Sequence, residues 1–364
     1  MKTYPLHSVS IEDAKLKQFK FVDELTKEFS GSESNTLGDL GVQKGLNKPH
    51  TTLKAEKVIA NFFNAESAVL VRGSGTGAIR FALGALLKPN DWIMLHDAPI
   101  YPTTKSSIEM MGLSQEFVDF NDDVALDKAL ENTKCKVALA QLTRQKIEDS
   151  YSFEKVIGKM KAAGLLVITD DNYAVMKVEK IGCEVGSDLS CFSSFKLLGP
   201  QGIGVVVGKK KYVQSIIDIH YSGGMQVQGF ESLEVLRGLT YAPVALAIQS
   251  EVNERVIKRL NGGEIKGVKN AFLANAQSKV LIVELEKPNA ERVLVEAEKL
   301  GGLPNPIGAE SKFEIAPLFY RVSGTFLKAD PTMKTKMIRI NPNRAGDETI
   351  LRILKTAIAN SEEN

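Results

Sequence analysis

Three short segments carry residue types that could do chemistry together. The first is Arg72-Gly73-Ser74-Gly75-Thr76-Gly77-Ala78, a glycine-rich turn between a β run and an apolar helix. Backbone N–H groups and the positive end of a helix dipole hold a phosphate at such a junction. Glycine lets the backbone approach the anion, and Ser74 and Thr76 add hydroxyl donors. The second segment is Ser193-Ser194-Phe195-Lys196-Leu197-Leu198-Gly199-Pro200, in which Lys196 directly follows a β run. A strand's carboxyl end is where open α/β sheets place their ligands. A lysine there, in a semi-apolar setting, can lose its proton and form a Schiff base with an aldehyde cofactor. The third is Leu166-Val167-Ile168-Thr169-Asp170-Asp171-Asn172-Tyr173, an apolar strand ending in two carboxylates. If it lies beside the strand leading to Lys196, both ends converge on one crevice, where a carboxylate can pair with a pyridinium nitrogen. One of Asp170 and Asp171 is expected to serve as a helix cap or turn residue instead.

The glycine turn has a competing reading. Gly73-x-Gly75-x-x-Ala78 satisfies the dinucleotide fingerprint, with Asp97 about 20 residues on as the ribose-binding acid. That pattern alone is a weak signal, and the lysine cluster favours a single phosphate monoester over it.

The elements that must position these residues are legible in the hydrophobic pattern. Leu53, Val58, Ile59, Phe62 and Phe63 recur at helical spacing. Strands are expected at 68–71, 92–95, Val137–Gln141, 165–169, Leu189–Ser193 and 203–207, with helical periodicity between them, clearest over 153–163. Near-continuous apolar strands alternating with helices indicate a mostly parallel sheet covered on both faces, an α/β three-layer sandwich. A helical stretch at 243–260 then leads into a smaller α+β domain. Its strands are expected at Val280–Leu285, 313–319 and 337–340, and its helices at 290–300 and 348–359. The first 45 residues are polar and punctuated by glycine, which reads as an N-terminal arm. The division is therefore an arm at 1–45, a large cofactor-binding domain at 46–242 and a small domain at 243–364.

Composition narrows the function classes. Of 364 residues, 43% are hydrophobic and 25% charged, close to an ordinary globular average. Lys and Arg number 46 against 44 Asp and Glu, a net charge of +2 that gives no electrostatic reason for a nucleic-acid or anionic membrane partner. No apolar run approaches the roughly 18 residues of a membrane span, and the N-terminus shows no signal core. Cys135, Cys183 and Cys191 lack CxxC spacing and the four histidines are scattered, so neither a disulfide framework nor a metal site is expected. These features suit a cytoplasmic protein.

The same residues resemble a family. The phosphate turn Ser74-Gly75-Thr76-Gly77-Ala78, the strand-end Asp170 and Ser193-x-x-Lys196 are similar to fold-type I pyridoxal 5′-phosphate enzymes, the aspartate-aminotransferase-like superfamily, in the expected order over most of the chain. Lys196-Leu197-Leu198-Gly199-Pro200-Gln201-Gly202-Ile203-Gly204 resembles selenocysteine synthase and its ammonia-lyase relatives. Asp170-x-x-Tyr173 resembles the cysteine/methionine-metabolism branch.

The resemblance implies that Lys196 forms the Schiff base with pyridoxal phosphate and later moves the α-proton. Ser74, Gly75, Thr76 and Ser193 would bind the phosphate, and Tyr101 would stack on the pyridine ring. Asp170 would face the ring nitrogen, with Asp171 as its rival. Arg339, in Met337-Ile338-Arg339-Ile340, would grip the substrate carboxylate through its planar fork, with Arg344 nearby as the alternative. The loop at 223–229 resembles one that reaches a neighbouring subunit's phosphate. The implied protein is a homodimer acting on an amino acid or amine. Transamination is the first reading, a lyase reaction (β/γ-elimination or ammonia-lyase, selenocysteine-synthase-like) the second, and a dinucleotide-dependent oxidoreductase a remote third.

Overall fold

A computed structural model of the chain describes residues 3–275 and 279–363. The chain divides into two compact units, one of residues 12–143 and 150–243, the other of residues 1–11, 144–149 and 244–364.

The larger unit is built on a seven-stranded sheet. Its strands are β1 (Ser67–Arg72), β2 (Trp92–His96), β3 (Ser114–Val118), β4 (Val137–Gln141), β5 (Leu166–Asp170), β6 (Leu189–Ser193) and β7 (Ile203–Gly208), in the order β1-β7-β6-β5-β4-β2-β3. β3, β2, β4, β5 and β6 run parallel, while β7 is antiparallel to both neighbours. Only an antiparallel neighbour can be reached by a short turn, and the β6–β7 turn is the segment that carries Lys196.

The helices of this unit are α1 (Ile11–Glu28), α2 (His50–Phe62), α3 (Ser74–Leu86), α4 (Pro102–Met110), α5 (Asp123–Asn132), α6 (Phe153–Ala162), α7 (Lys210–Ile219) and the first part of α8 (Gly229–Asn261). Side chains alternate across a strand, so β6 feeds two cores. Cys191 packs with Ala78, Ile79, Ala82 and Leu83 of α3 and Ile216 of α7. Phe192 faces the other way, into an edge-on ring series running through Phe63 and Phe62 to Phe21.

That series corrects the reading of the first 45 residues as an arm. α1 lies within them and buries Ala14 and Phe21. Its other apolar residues include Leu16, Phe19 and Val22, which are exposed and lie off the buried face, so no clean helical stripe is visible in the sequence.

The smaller unit holds an antiparallel sheet of β8 (Val268–Ala274), β9 (Val280–Leu285), β10 (Leu318–Arg321) and β11 (Met337–Asn341), in the order β10-β11-β9-β8. Helices α9 (Ala290–Lys299), α10 (Gly324–Ala329), α11 (Met333–Lys336) and α12 (Asp347–Glu363) complete it. Leu281 and Val283 of β9 pack with α9 and α12. Val280 and Ile282 pack with Phe326 and Met333 on the opposite face. Burial on both faces explains the unbroken apolar run of β9.

The strand expected at 313–319 begins only at Leu318. Upstream of it, the Glu314 carboxylate accepts the backbone N–H groups of Ile307, Gly308, Ala309 and Ser311 at 2.6, 2.6, 2.9 and 2.8 Å. An acid that satisfies four loop donors cannot also sit in a ladder. Among the described residues no helix is long and apolar enough to cross a membrane.

Candidate active site

The carboxyl ends of β5 and β6 and the first turn of α3 meet in the larger unit. α3 begins after Gly73, whose φ of 93° is left-handed. Ser74 follows with φ 59°, an uncommon conformation for a residue with a side chain. The Gly73 and Ser74 N–H groups bond the Gly202 carbonyl, and the Gly77 N–H returns to Gly73. The N–H groups of Gly75 and Thr76 lie in a first turn, where no intrahelical acceptor exists. Two hydroxyl pairs border this turn: Ser74 Oγ to Ser193 Oγ at 2.5 Å, and Thr76 Oγ1 to Thr103 Oγ1 at 3.0 Å. Backbone donors, hydroxyls and a helix N-terminus form the donor set that a phosphate monoester needs.

Lys196 lies in a single 3-10 turn, Ser194–Leu197, directly after β6, and is half-buried. Its ammonium sits 4.0 Å from the centre of the Tyr173 ring, a cation–π distance. Leu198, which closes the turn, and Tyr173 both have left-handed backbone, at φ 62° and 66°. Non-glycine strain of this kind gathers where the surrounding structure enforces it, often at functional sites.

The two strand-end aspartates face opposite ways. Asp170 ends β5 and is 5% exposed. Its Oδ1 accepts the Asn172 backbone N–H at 3.1 Å and Nδ2 at 2.7 Å, and its Oδ2 accepts Gln141 Nε2 at 3.0 Å. Gln141 is its register partner on β4. The Asn172 carboxamide lies against Gly75, so Asp170 shares the phosphate turn's side of the sheet. Asp171 is fully buried among Thr169, Ser190 and Gly182, accepting Thr169 Oγ1 at 3.0 Å and the Gly182 N–H at 3.2 Å. Burial pushes its carboxyl up to about 7, against the opposing pull of hydrogen bonds from Ser190 and Thr169.

The structure thus brings Ser74, Gly75, Thr76, Ser193, Lys196 and Asp170 together and separates Asp171 from them. Tyr101 N-caps α4 and is 46% exposed, so it is no core tyrosine. The Thr76–Thr103 contact ties the start of α4 to the turn.

Arg339 lies in the smaller unit, on β11, almost fully buried. Its Nε donates to the Arg321 carbonyl at 2.8 Å, and its guanidinium stacks 4.0 Å from the ring of Tyr320, its cross-strand partner. Arg344 donates to the Asn343 carbonyl at 3.4 Å.

Sequence reasoning missed Gln141, Asn172 and Thr103. Gln141 alone had a usable signal, a polar residue closing an apolar strand run. The dinucleotide reading fails on topology. Four strands lie between β1, which leads to the glycine turn, and β2, which leads to Asp97. At the usual strand spacing that is about 24 Å, whereas the fingerprint needs the acid on the adjacent strand.

Comparison with known proteins agrees with this fold. A family model for class-V aminotransferases matches residues 17–236, and one for the C-terminal domain of YhfS-like proteins matches residues 254–354. The chain is 55% identical over 359 residues to the uncharacterized protein YhfS of Escherichia coli, covering 99% of both. It is 28% identical over 200 residues to a cysteine desulfurase of Pectobacterium atrosepticum, half of this chain and 47% of that one. The crystal structure of the pyridoxal-5′-phosphate-dependent protein YhfS from Escherichia coli superposes with a TM-score of 0.98 at 54% identity, over 99% of this chain and 100% of that one. Cystathionine γ-synthase from Xanthomonas oryzae shares the fold, at a TM-score of 0.69 and 17% identity over 90% and 92% of the chains. The chain therefore belongs to the class-V aminotransferase family of fold-type I enzymes, and its cofactor is pyridoxal 5′-phosphate.

Proposed function

We propose that the chain is a transferase acting on an α-amino acid or amine, with Lys196 as the residue that condenses with the cofactor aldehyde. The observation that carries this is the convergence of Lys196, Asp170 and the Ser74–Ser193 hydroxyl pair at one end of the sheet. When bound, pyridoxal phosphate supplies an aldehyde for an incoming amine and a ring that takes up charge as a bond to the α-carbon breaks. The chain's own residues do the rest. Ser74, Gly75, Thr76 and Ser193 would hold the phosphate, and Asp170, oriented by Gln141 and Asn172, would face the ring nitrogen. Tyr101 would cover the ring. Lys196 would take the α-proton at its Nζ. Arg339 is assigned to the substrate carboxylate on the strength of its planar donor fork.

Transamination is our first reading. Elimination of a β- or γ-substituent or of ammonia is the second, and the cysteine desulfurases among the sequence relatives add a desulfurase reading, removal of sulfur from cysteine, beside it. A homodimer fits the exposed apolar side chains of Leu37, Leu40, Tyr221 and Phe230. Leu37, Leu40 and Tyr221 project from loops and Phe230 from the start of α8, and these segments are tied together by Gly41 N–H to Gln228, Asn47 to the Tyr221 carbonyl and Gly229 N–H to the Asp39 carbonyl. Ordered loops presenting that much apolar surface suit a second copy, and a monomer in light scattering of the cofactor-loaded protein would overturn this. With three unpaired cysteines, a cytoplasmic setting is consistent.

The test is an absorption spectrum of the purified protein with added pyridoxal phosphate, followed by borohydride reduction and peptide mapping. We expect a near-visible band and a reduced adduct on Lys196. An adduct on another lysine, or none, would overturn the assignment.

A further inference from the structure

We propose that Asn172 is a positioning residue: its carboxamide bridges the Asp170 carboxylate to the strand end that carries Lys196. The proposal deepens the reading above and rests on it. β5 and β6 pair in register only as far as Asp170 and Cys191, after which one bond, from the Asp171 N–H to the Cys191 carbonyl at 2.9 Å, follows. Beyond that point the Asn172 side chain continues the ladder. Its Nδ2 donates to Asp170 Oδ1 at 2.7 Å, and its Oδ1 accepts the Ser193 N–H at 3.0 Å.

The amide can work in only one sense. Its donor end must meet a carboxylate and its acceptor end an N–H, so a flip would set oxygen against oxygen. A third element fixes its plane. A Cβ on Gly75 would lie 2.5 Å from Asn172 Oδ1 and 2.6 Å from Nδ2, so the α3 turn presses directly on the amide.

The consequence concerns Asp170. Asn172 holds one carboxylate oxygen and Gln141 the other, which leaves the side chain no rotamer freedom of its own. A preorganised carboxylate loses nothing on meeting a ring nitrogen, whereas a free one must first be ordered. Asn172 also sets the distance between that carboxylate and the segment bearing Lys196, because its other end is on Ser193.

The test compares the full-length protein with Asn172→Ala, Asn172→Asp, Asp170→Ala and the double variant Asp170→Ala/Asn172→Ala. The readouts are the pyridoxal phosphate dissociation constant and the pH midpoint of the near-visible band. We expect Asn172→Ala to weaken cofactor binding about tenfold, the range for losing a hydrogen bond to a charged group, and to move the pH midpoint. Asn172→Asp, which keeps the shape but sets two carboxylates together, should lose at least as much. It carries the test if the alanine variant fails to fold. On the Asp170→Ala background, Asn172→Ala should add less than about twofold, since a residue acting through Asp170 has nothing left to act on. Unchanged binding and midpoint in the single variants, or losses that multiply in the double variant, would overturn the proposal. If the unaltered protein forms no Lys196 adduct, the functional reading falls and this inference with it. A Lys196 adduct with unresponsive Asn172 variants removes this inference alone.

Discussion

Ser74 and Ser193 touch through their hydroxyls at 2.5 Å although β7 runs between β1, which leads into the turn of Ser74, and β6, which ends at Ser193. The contact depends on Gly204 of β7. A Cβ there would lie 2.2 Å from the Ser74 carbonyl oxygen and 3.1 Å from the Ala78 Cβ. The phosphate turn therefore crosses directly over the backbone of β7 to reach β6.

From this follows the first prediction. In Gly204→Ala the clash is with backbone, which has no rotamer to escape into, so the turn must lift. We expect a loss of about 2–3 kcal/mol in stability, the upper range for overpacking, and a drop in cofactor affinity larger than stability alone explains. Chemical denaturation with and without pyridoxal phosphate separates the two. An alanine variant with unchanged melting and cofactor affinity would show that the turn tolerates displacement.

A second prediction concerns Asp171. Its carboxyl is raised to about 7 in the fold, against 3.8 for an ordinary aspartate, chiefly because burial penalises the charge. Between those two values the folded state binds the proton that the unfolded state has released, so stability falls as pH rises from about 4 to about 7 and then levels. Asp171→Asn removes that dependence. We expect no gain near pH 4 and a growing gain above it, at most about 4 kcal/mol at pH 8, reduced by whatever the amide's second proton fails to bond. Urea unfolding at pH 4 and pH 8 checks it, and equal differences at both would show that Asp171 stays charged.

The cysteines separate transamination from sulfur transfer. Removing sulfur from cysteine requires an acceptor, and a thiolate is the form that accepts it. Burial drives the Cys135 thiol up to about 12, and it raises Cys183 and Cys191 as well. None of the three is a thiolate near neutral pH. We therefore expect all three to resist alkylation in the native protein and to react together once it is denatured, as read by intact-mass spectrometry. Cysteine turnover that leaves a persulfide on any of them would put the desulfurase reading first.

What the sequence showed and what it hid have a common physical basis. Strands buried on both faces, such as β4, β5 and β9, are near-continuous apolar runs and read plainly. The two strands without a sequence signal, β3 and β8, are sheet edges with mostly half-covered side chains. The site divides the same way. Ser74, Lys196 and Asp170 stand at junctions between strongly patterned elements, so their convergence follows once the sheet is inferred. Asn172 and Gln141 act through the pairing of β5 with its neighbours, and strand order leaves no mark in one sequence. The choice between Asp170 and Asp171 needed the pleat itself, since adjacent residues leave a strand on opposite faces.

The last prediction tests the smaller unit. Glu314 is 1% exposed and its carboxylate takes four backbone N–H groups and the Ser311 hydroxyl. Burial alone would raise its carboxyl, but the hydrogen bonds from Ser311, Gly308 and Ala309 outweigh it and hold the group below the usual glutamate range. A depressed folded pKa means the stabilisation is present above the ordinary glutamate value of 4.5 and is lost as pH falls through the folded one. Glu314→Ala orphans all the donors at once, and we expect it to lose about 3 kcal/mol at pH 7. Glu314→Gln keeps one accepting oxygen but turns an N–H₂ toward the Ser311 donors, so it should lose nearly as much. Both variants should open the loop to protease between Ile307 and Ser311, and both should flatten the acid limb of the stability curve. A glutamine variant as stable as the parent at pH 7 would mean that the loop holds its shape without the charge.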